Sequence, residues 1–209
     1  MIRVLVADDH AIVRRGLKQI LAETEDIQLE GEAASADELR ALVASKRFDV
    51  VILDVHMPGG SGIELLKELR KEHPGARVLV LTGYLETEYG VRAVRAGAAG
   101  FLTKDGAPER LVEAVRKVAA GGKYVSAALA ETLASVVAGE VGQSPHERLS
   151  DREFEVLKAL AAGRTVSQIG EDLQLSVKTV STHRTRVLRK MEMTTNAELM
   201  RYAMTRGLV

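Results

Sequence analysis

Cysteine is absent from this chain of 209 residues. Its absence excludes disulfides, thiolate metal sites and cysteine nucleophiles together, and it fits a reducing cytoplasm. Long apolar stretches are missing too: the longest runs free of charge reach about nine residues, far short of the ~20 needed to span a bilayer. The N-terminal run MIRVLVA meets Asp8 too early for a signal peptide. These absences lead us to expect a soluble, cytoplasmic protein with no membrane partner. There is no repeat of solenoid period and no low-complexity tract. Nor does one sign of charge prevail, since 29 Lys and Arg balance 29 Asp and Glu.

That zero hides an asymmetry. From Arg148 to Val209 there are 11 basic and 7 acidic side chains, a balance of +4, which leaves 18 against 22, or −4, for the rest. Opposite signs on two segments suggest two jobs, and the basic one points to an anionic partner.

Short runs rich in Val, Ile and Leu recur up to Lys104: IRVLVAD, IQLEGEA, DVVILD, RVLVLT and AGFLTK. Each is followed by apolar residues at helical spacing, such as Val13, Leu17, Ile20 and Leu21, or Leu111, Val112 and Val115. Ser35 with Glu38 reads as a capping box, and Pro108 as a first helical residue. Five βα units imply a parallel sheet covered by helices on both faces, which explains strands that are apolar throughout. The boundaries read as an α/β domain at 1–120, then a linker at 121–147 holding one helix from about Ser126 to Ala138 and a flexible stretch Gly139–Glu147. A smaller all-α domain at 148–209 follows, opened by a capping box from Ser150 to Glu153.

The stretch VVILDVHMPGGSG carries the first chemistry. Four apolar residues run into Asp54, and the chain then breaks through Pro58, Gly59, Gly60 and Gly62. Ligands of open α/β sheets bind beyond the carboxyl ends of the strands. Asp8 and Asp9 end the first strand, so with strands one and three adjacent three carboxylates converge. Such a cluster is stable only around a cation, and oxygen ligands with a few waters suit Mg²⁺. The fourth and fifth strands end in Thr82 and Lys104. An acid cluster with a metal, a hydroxyl and an ammonium suits a phosphoryl group, with Asp54 as the nucleophile that becomes an acyl phosphate and Gly83 leaving room for it. His10, His73, His146 and His183 are scattered along the chain, so a histidine-based metal centre is not expected.

With the acid pair Asp8/Asp9, the DVHMPGGSG loop, Thr82 with its small neighbour, and FLTKD containing Lys104, residues 1 to about 120 resemble the receiver domain of two-component response regulators. The resemblance implies that Asp54 takes phosphate from a phosphohistidine on a sensor histidine kinase. It also implies Mg²⁺ held by Asp8, Asp9, Asp54 and the backbone carbonyl of His56, and a switch pair of Thr82 and Phe101. His56 varies from many relatives, which carry Asn or another residue at that place. Self-phosphorylation and dephosphorylation at Asp54 would be the only enzymology.

In the basic segment, SQIGEDL, a break at QLS and a helix from about Val177 to Met191, capped by Ser176, give the spacing of a helix-turn-helix. Val180, Val187 and Met191 should pack inward, with Lys178, Ser181, Thr182, Thr185, Arg186 and Arg189 on the opposite face. Five positive residues and no acid lie between Lys178 and Lys190. The pattern LSDREFEVLKALAAG followed by IGEDLQLSVKTVSTH resembles the LuxR-type DNA-binding domain, and the whole chain is similar to the NarL/FixJ response regulators. Gly170 stands where alanine is usual, and Asn196 near a place that often holds arginine. The resemblance implies that Ser181, Thr182 and Thr185 face bases of double-stranded promoter DNA, while Lys178, Thr179, Arg184, Arg186 and Arg189 lie on or near its backbone. The last helix, capped by Thr195 and Glu198, is expected to expose Leu199, Tyr202 and Ala203 as core or, by the resemblance, as a dimer contact.

The fold expected is a flavodoxin-like doubly wound five-stranded parallel sheet, order 2-1-3-4-5, with a second, smaller helix-turn-helix domain. The function expected is a phosphorylation-switched transcription regulator, a homodimer when phosphorylated, with RNA polymerase a further partner. Without phosphate, the receiver is expected to cover the recognition helix. Two rival readings are a phosphorylation-independent DNA-binding regulator and an aspartyl-phosphate phosphohydrolase. The second usually needs a carboxylate two places after the nucleophile, where this chain has His56.

Overall fold

Successive side chains of a strand point to opposite faces, so strands that are apolar at every position must be covered on both sides. The computed structural model, which describes residues 1–57, 60–83, 86–138 and 144–209, has this arrangement. Five parallel strands, β1 (Ile2–Ala7), β2 (Ile27–Ala33), β3 (Val50–Leu53), β4 (Arg77–Thr82) and β5 (Gly100–Thr103), lie in the order β2-β1-β3-β4-β5. They alternate with α1 (Ala11–Ala22), α2 (Ala36–Ser45), α3 (Gly62–Glu72), α4 (Glu86–Ala96) and α5 (Ala107–Ala119). Val4, Val6, Val50, Ile52, Leu79, Leu81 and Leu102 form one core with Leu17 and Leu21 of α1 and Leu111, Val115 and Val118 of α5. Leu5, Val51, Leu53, Val78, Val80 and Phe101 alternate with them and are as deeply buried. On that side α2, α3 and α4 pack against β2, β4 and β5.

Local signals account for the helix ends. Ser35 Oγ accepts from Glu38 N–H, but the Glu38 carboxylate reaches back to the N–H of Ala34, one residue before the partner a capping box requires. Pro108 is the second residue of α5, because that helix begins at Ala107. A sixth helix, α6 (Ala127–Ala138), is capped by Ser126, whose Oγ accepts from Leu129 N–H at 3.0 Å. It packs on α4: Ser126 donates to the Glu86 carboxylate, and Leu129 lies where a Cβ on Gly90 would come within 2.8 Å of it. The helix expected in a linker therefore belongs to the first of two compact units, Met1–Ala138 and Gly139–Val209. Within the expected flexible stretch, 139–143 fall outside the described residues, and Pro145–Arg148 form a 3₁₀ turn.

In the second unit, α9 (Val177–Lys190) and α10 (Asn196–Thr205) both pack on α7 (Asp151–Ala161), and α8 (Val166–Leu173) packs on α9. Capping boxes open α7 (Ser150/Glu153), α8 (Thr165/Gln168) and α10 (Thr195/Glu198). Val180 and Val187 of α9 and the following Met191 are buried as expected. Leu199 and Ala203 are not exposed: both are fully buried against the rest of the unit, and Tyr202 alone of the three is partly open. Three residues, 174–176, separate α8 from α9, with Gln174 in the left-handed region at φ 54°. Gly170 is buried there, and a Cβ on it would lie 2.8 Å from the carbonyl oxygen of Leu175, so the close packing offsets its poor helix propensity. Among the described residues, no helix is long and apolar enough to cross a membrane.

The loop after β3 is the tightest point of the first unit. His56–Met57 pairs antiparallel with Gly60–Ser61, and Gly62 N–H donates to Val55 O at 3.1 Å. Pro58 and Gly59 lie outside the described residues. A Cβ on Gly62 would sit 2.2 Å from Val55 Cα, against rigid backbone. Gly62→Ala is therefore expected to destabilise the chain by about 2 kcal/mol. Urea unfolding checks it, and wild-type stability in the variant would contradict this packing.

Candidate functional site

Parallel pairing aligns the strand tips. Ala7 pairs with Leu53, so Asp8 and Asp54 leave neighbouring strands side by side, and Asp54 N–H donates to Ala7 O at 2.8 Å. Thr82 pairs with Thr103, which puts Lys104 just beyond the tip of β5. Lys104 Nζ stands 2.5 Å from Asp54 Oδ2 and 2.8 Å from Asp8 Oδ2. Asp54 Oδ1 accepts from His56 N–H at 3.1 Å, and Asp8 Oδ1 from His10 N–H at 2.8 Å. His10 Nδ1 lies 2.7 Å from Asp9 Oδ1 and 3.3 Å from Asp8 Oδ1. One ligand atom each from Asp8, Asp9, His10 and Asp54 lies within 4.8 Å of the others.

The structure thus gathers Asp8, Asp9, Asp54 and Lys104, and sets Thr82 on the same rim by register. Thr82 is buried, and nothing lies within 4 Å of where a Cβ on Gly83 would be. Phe101 is in β5 opposite Val80, its ring buried and its N–H donated to Tyr124 O at 2.8 Å. His10, taken from sequence as one of several scattered histidines, stands inside the cluster.

Burial pushes the Asp54 carboxyl above its usual range, with repulsion from Asp8 adding to it, while Lys104 and the His56 N–H work the other way. Burial alone would depress the Lys104 ammonium, yet Asp54 and Asp8 outweigh it and hold it above the ordinary lysine value. Asp8 Oδ2 and Asp9 Oδ1 are buried without a hydrogen bond, and Lys104 and His10 reach them only as ion-pair contacts. Three carboxylates against one ammonium, with ligand atoms of Asp8, Asp9 and Asp54 within 4.8 Å of one another, form a donor set that fits a divalent cation.

In the second unit, α9 presents Lys178, Ser181, Thr182, Thr185, Arg186 and Arg189 as exposed residues. Thr179 and Arg184 are half-buried. Thr179 is part of the cap, its Oγ1 2.8 Å from Ser176 Oγ and its N–H donated to the same atom. Arg184 Nε donates to Asn196 Oδ1 at 2.7 Å, which ties α9 to the start of α10. Thr182 and Thr185 donate their hydroxyls to the carbonyls of Lys178 and Ser181. Lys190 Nζ pairs at 2.6 Å with Glu153, whose carboxylate is almost fully buried.

Comparison with known proteins assigns both units. Residues 4–116 match the response regulator receiver domain family, and residues 147–203 match the luxR family of bacterial regulatory proteins. The chain belongs to the NarL/FixJ response regulators. It is 38% identical to the response regulator GacA of Pseudomonas aeruginosa over 100% of this chain and 98% of that one. It is 34% identical to the response regulator UvrY of Escherichia coli K12 over 100% and 96%. Among solved structures it is similar to RcsB from Salmonella enterica serovar Typhimurium bound to promoter rprA in the presence of phosphomimetic BeF3⁻. That likeness has a TM-score of 0.70 at 27% identity and covers 96% of this chain and 97% of RcsB.

In this response regulator the buried Asp54 carries a cost that Lys104 offsets only in part. The folded-state pKa of Asp54 is raised, so its contribution to stability is present below the unfolded carboxylate value, near 3.9, and is lost as pH rises through the raised value. Without added divalent ions, the unfolding free energy of wild type relative to Asp54→Asn should therefore fall as pH rises above about 4. Paired urea denaturations across pH 4 to 8 measure it, and parallel curves would show that Asp54 carries no such penalty.

Proposed function

We propose that this response regulator takes a phosphoryl group on Asp54 from a phosphohistidine of a sensor kinase, and that the change governs its binding to promoter DNA. Residues 1–120 do the chemistry, 121–147, whose helix α6 packs on α4, lead to the second unit, and 148–209 bind DNA. The observation that carries the reading is a nearly fully buried carboxylate, Asp54, at a strand tip between Asp8 and an ammonium 2.5 Å away. A carboxylate oxygen of Asp54 forms the new bond to phosphorus as the P–N bond of the donor breaks, and that electron pair returns to the imidazole. Burial strips water from the nucleophile, while Lys104 and the His56 N–H favour its charged form and orient it. Asp8, Asp9, Asp54 and the backbone carbonyl of His56 would hold Mg²⁺, which would supply neutralisation for the incoming oxygens. Thr82, on the same rim, is the hydroxyl that senses the phosphoryl group, with Phe101 as its aromatic partner in the switch.

The DNA reading rests on the exposed face of α9. Ser181, Thr182 and Thr185 meet base edges, while Lys178, Arg186 and Arg189 meet phosphates, with Thr179 and Arg184 beside them. RcsB, bound to promoter DNA in the presence of a phosphomimetic, supports the same use here. Two copies gripping two half-sites give a small binding unit the avidity it lacks alone, so the phosphorylated form acts as a homodimer. RNA polymerase is the downstream partner, and the cytoplasm the compartment.

Two experiments test this reading. Incubation with a small acyl phosphate donor and Mg²⁺ should add about 80 Da, the mass of one phosphoryl group, to wild type and nothing to Asp54→Asn. An unchanged wild-type mass would favour control without phosphate, and continuous turnover of donor would favour a hydrolase. In binding titrations on target DNA, Arg186→Ala should weaken binding at every sequence and reduce the salt slope by about one. Ser181→Ala should instead relax sequence preference with the slope intact. Equal effects of the two changes would remove the division between backbone and base contacts.

A further inference from the structure

We propose that His10 is a nitrogen ligand of the receiver pocket and biases it toward first-row transition ions over Mg²⁺. The inference rests on reading the acid cluster as a cation site, and it concerns which cation that site prefers.

His10 occupies the N-cap of α1, where a side chain normally accepts a hydrogen bond from the first turn. It makes no such bond. The ring turns back to the strand tip, with Nδ1 2.7 Å from Asp9 Oδ1 and 3.3 Å from Asp8 Oδ1. A nitrogen within 4.8 Å of the ligand atoms of Asp8, Asp9 and Asp54 belongs to the same donor set. The backbone fixes this position as well, because His10 N–H donates to Asp8 Oδ1 at 2.8 Å and locks the turn that carries the ring.

The chemistry then discriminates. Mg²⁺ takes oxygen donors in a strict octahedron and gains little from an imidazole, whereas Mn²⁺, Co²⁺, Ni²⁺ and Zn²⁺ accept one readily, in rising order of affinity toward nickel. Coordination through Nδ1 requires the tautomer with its proton on Nε2. The His10 side chain is 58% exposed, so that N–H can be satisfied by water. The carboxylates of Asp8 and Asp9 supply the anionic oxygens that keep the ion charge-balanced. His10 is thus a specificity-determining ligand beside the acids.

The test uses the full-length protein. Calorimetric titration with MgCl₂ and with NiCl₂ should give His10→Gln a Mg²⁺ affinity within about twofold of wild type and a Ni²⁺ affinity at least about tenfold weaker. Pulsed EPR of the Mn²⁺-loaded wild type should detect a directly bound ¹⁴N that disappears in His10→Gln. Unchanged Ni²⁺ affinity, equal losses for both ions, or a ¹⁴N signal that survives in His10→Gln would overturn the assignment while leaving the cation site in place. If neither ion binds wild type, or if Asp9→Asn binds both as tightly as wild type, the cation site itself is wrong and the assignment falls with it.

Discussion

Everything at the rim follows from the register of four parallel strands, β1, β3, β4 and β5. Pairing Ala7 with Leu53 and Leu53 with Val80 carries Asp8 and Asp54 past the last pairs of their ladders together, while Thr82 pairs with Thr103 and sets Lys104 beside them. A slip of one residue would turn each strand's side chains to the other face and send Asp54 into a core with no partner for its charge. Because both faces are apolar, burial alone does not set that register; the charged strand ends do, since Asp8, Asp54 and Lys104 meet one another only in this pairing. Given the register, Lys104 becomes indispensable. Breaking a buried ion pair by removing one partner costs on the order of 3–5 kcal/mol, and this ammonium serves two carboxylates that are almost fully buried. The site is held by the sheet, and its charges are tolerable only as a set.

The second unit uses charge differently. Lys190 is spent internally on the buried Glu153, whose carboxylate also accepts from Ser150 N–H at the start of α7. Although burial opposes it, the pairing with Lys190 and the Ser150 N–H bond lower the Glu153 pKa. Arg184 is half-spent on Asn196. Of the five positive residues along α9, three exposed ones, Lys178, Arg186 and Arg189, remain for an anionic surface. The footprint is therefore narrower than the count of basic residues suggests, and the small hydroxyls between those cations are well placed to approach closely.

Much of this was legible in the amino-acid sequence, for physical reasons. Strands buried on both faces write continuous apolar runs, caps write Ser or Thr three residues before Glu, and a carboxylate after VVIL has no reading as core. What the sequence hid depends on distances between elements. Gly62 looked like one of several loop glycines, and only the approach of Val55 makes it essential. Leu199 and Ala203 fell on a face that α10 turns inward, because helical spacing alone does not say which face meets α7. His10 was passed over since a lone histidine beside two acids carries no spacing signal, and the ring's direction is set by a backbone hydrogen bond within the turn. The Thr165/Gln168 capping box was missed although its residues were in plain view.

The rim also has a short physical connection to the end of its own unit. Glu86 begins α4 four positions after Thr82, and its carboxylate accepts from Ser126, the cap of α6. One turn further along, Gly90 has no Cβ and so admits Leu129, the one fully buried residue of α6, directly onto the α4 backbone. A polar contact fixes where α6 starts and an apolar one fixes its roll. Elsewhere α6 is largely exposed, with Val137 open to solvent, so few other contacts resist movement. Close-packed elements shift between discrete arrangements and do not deform smoothly. A displacement of α4 must therefore either carry α6 with it or break both contacts at once. The α4–α6 seam thus links the helix that follows the strand tip of β4 to the last helix of the same unit.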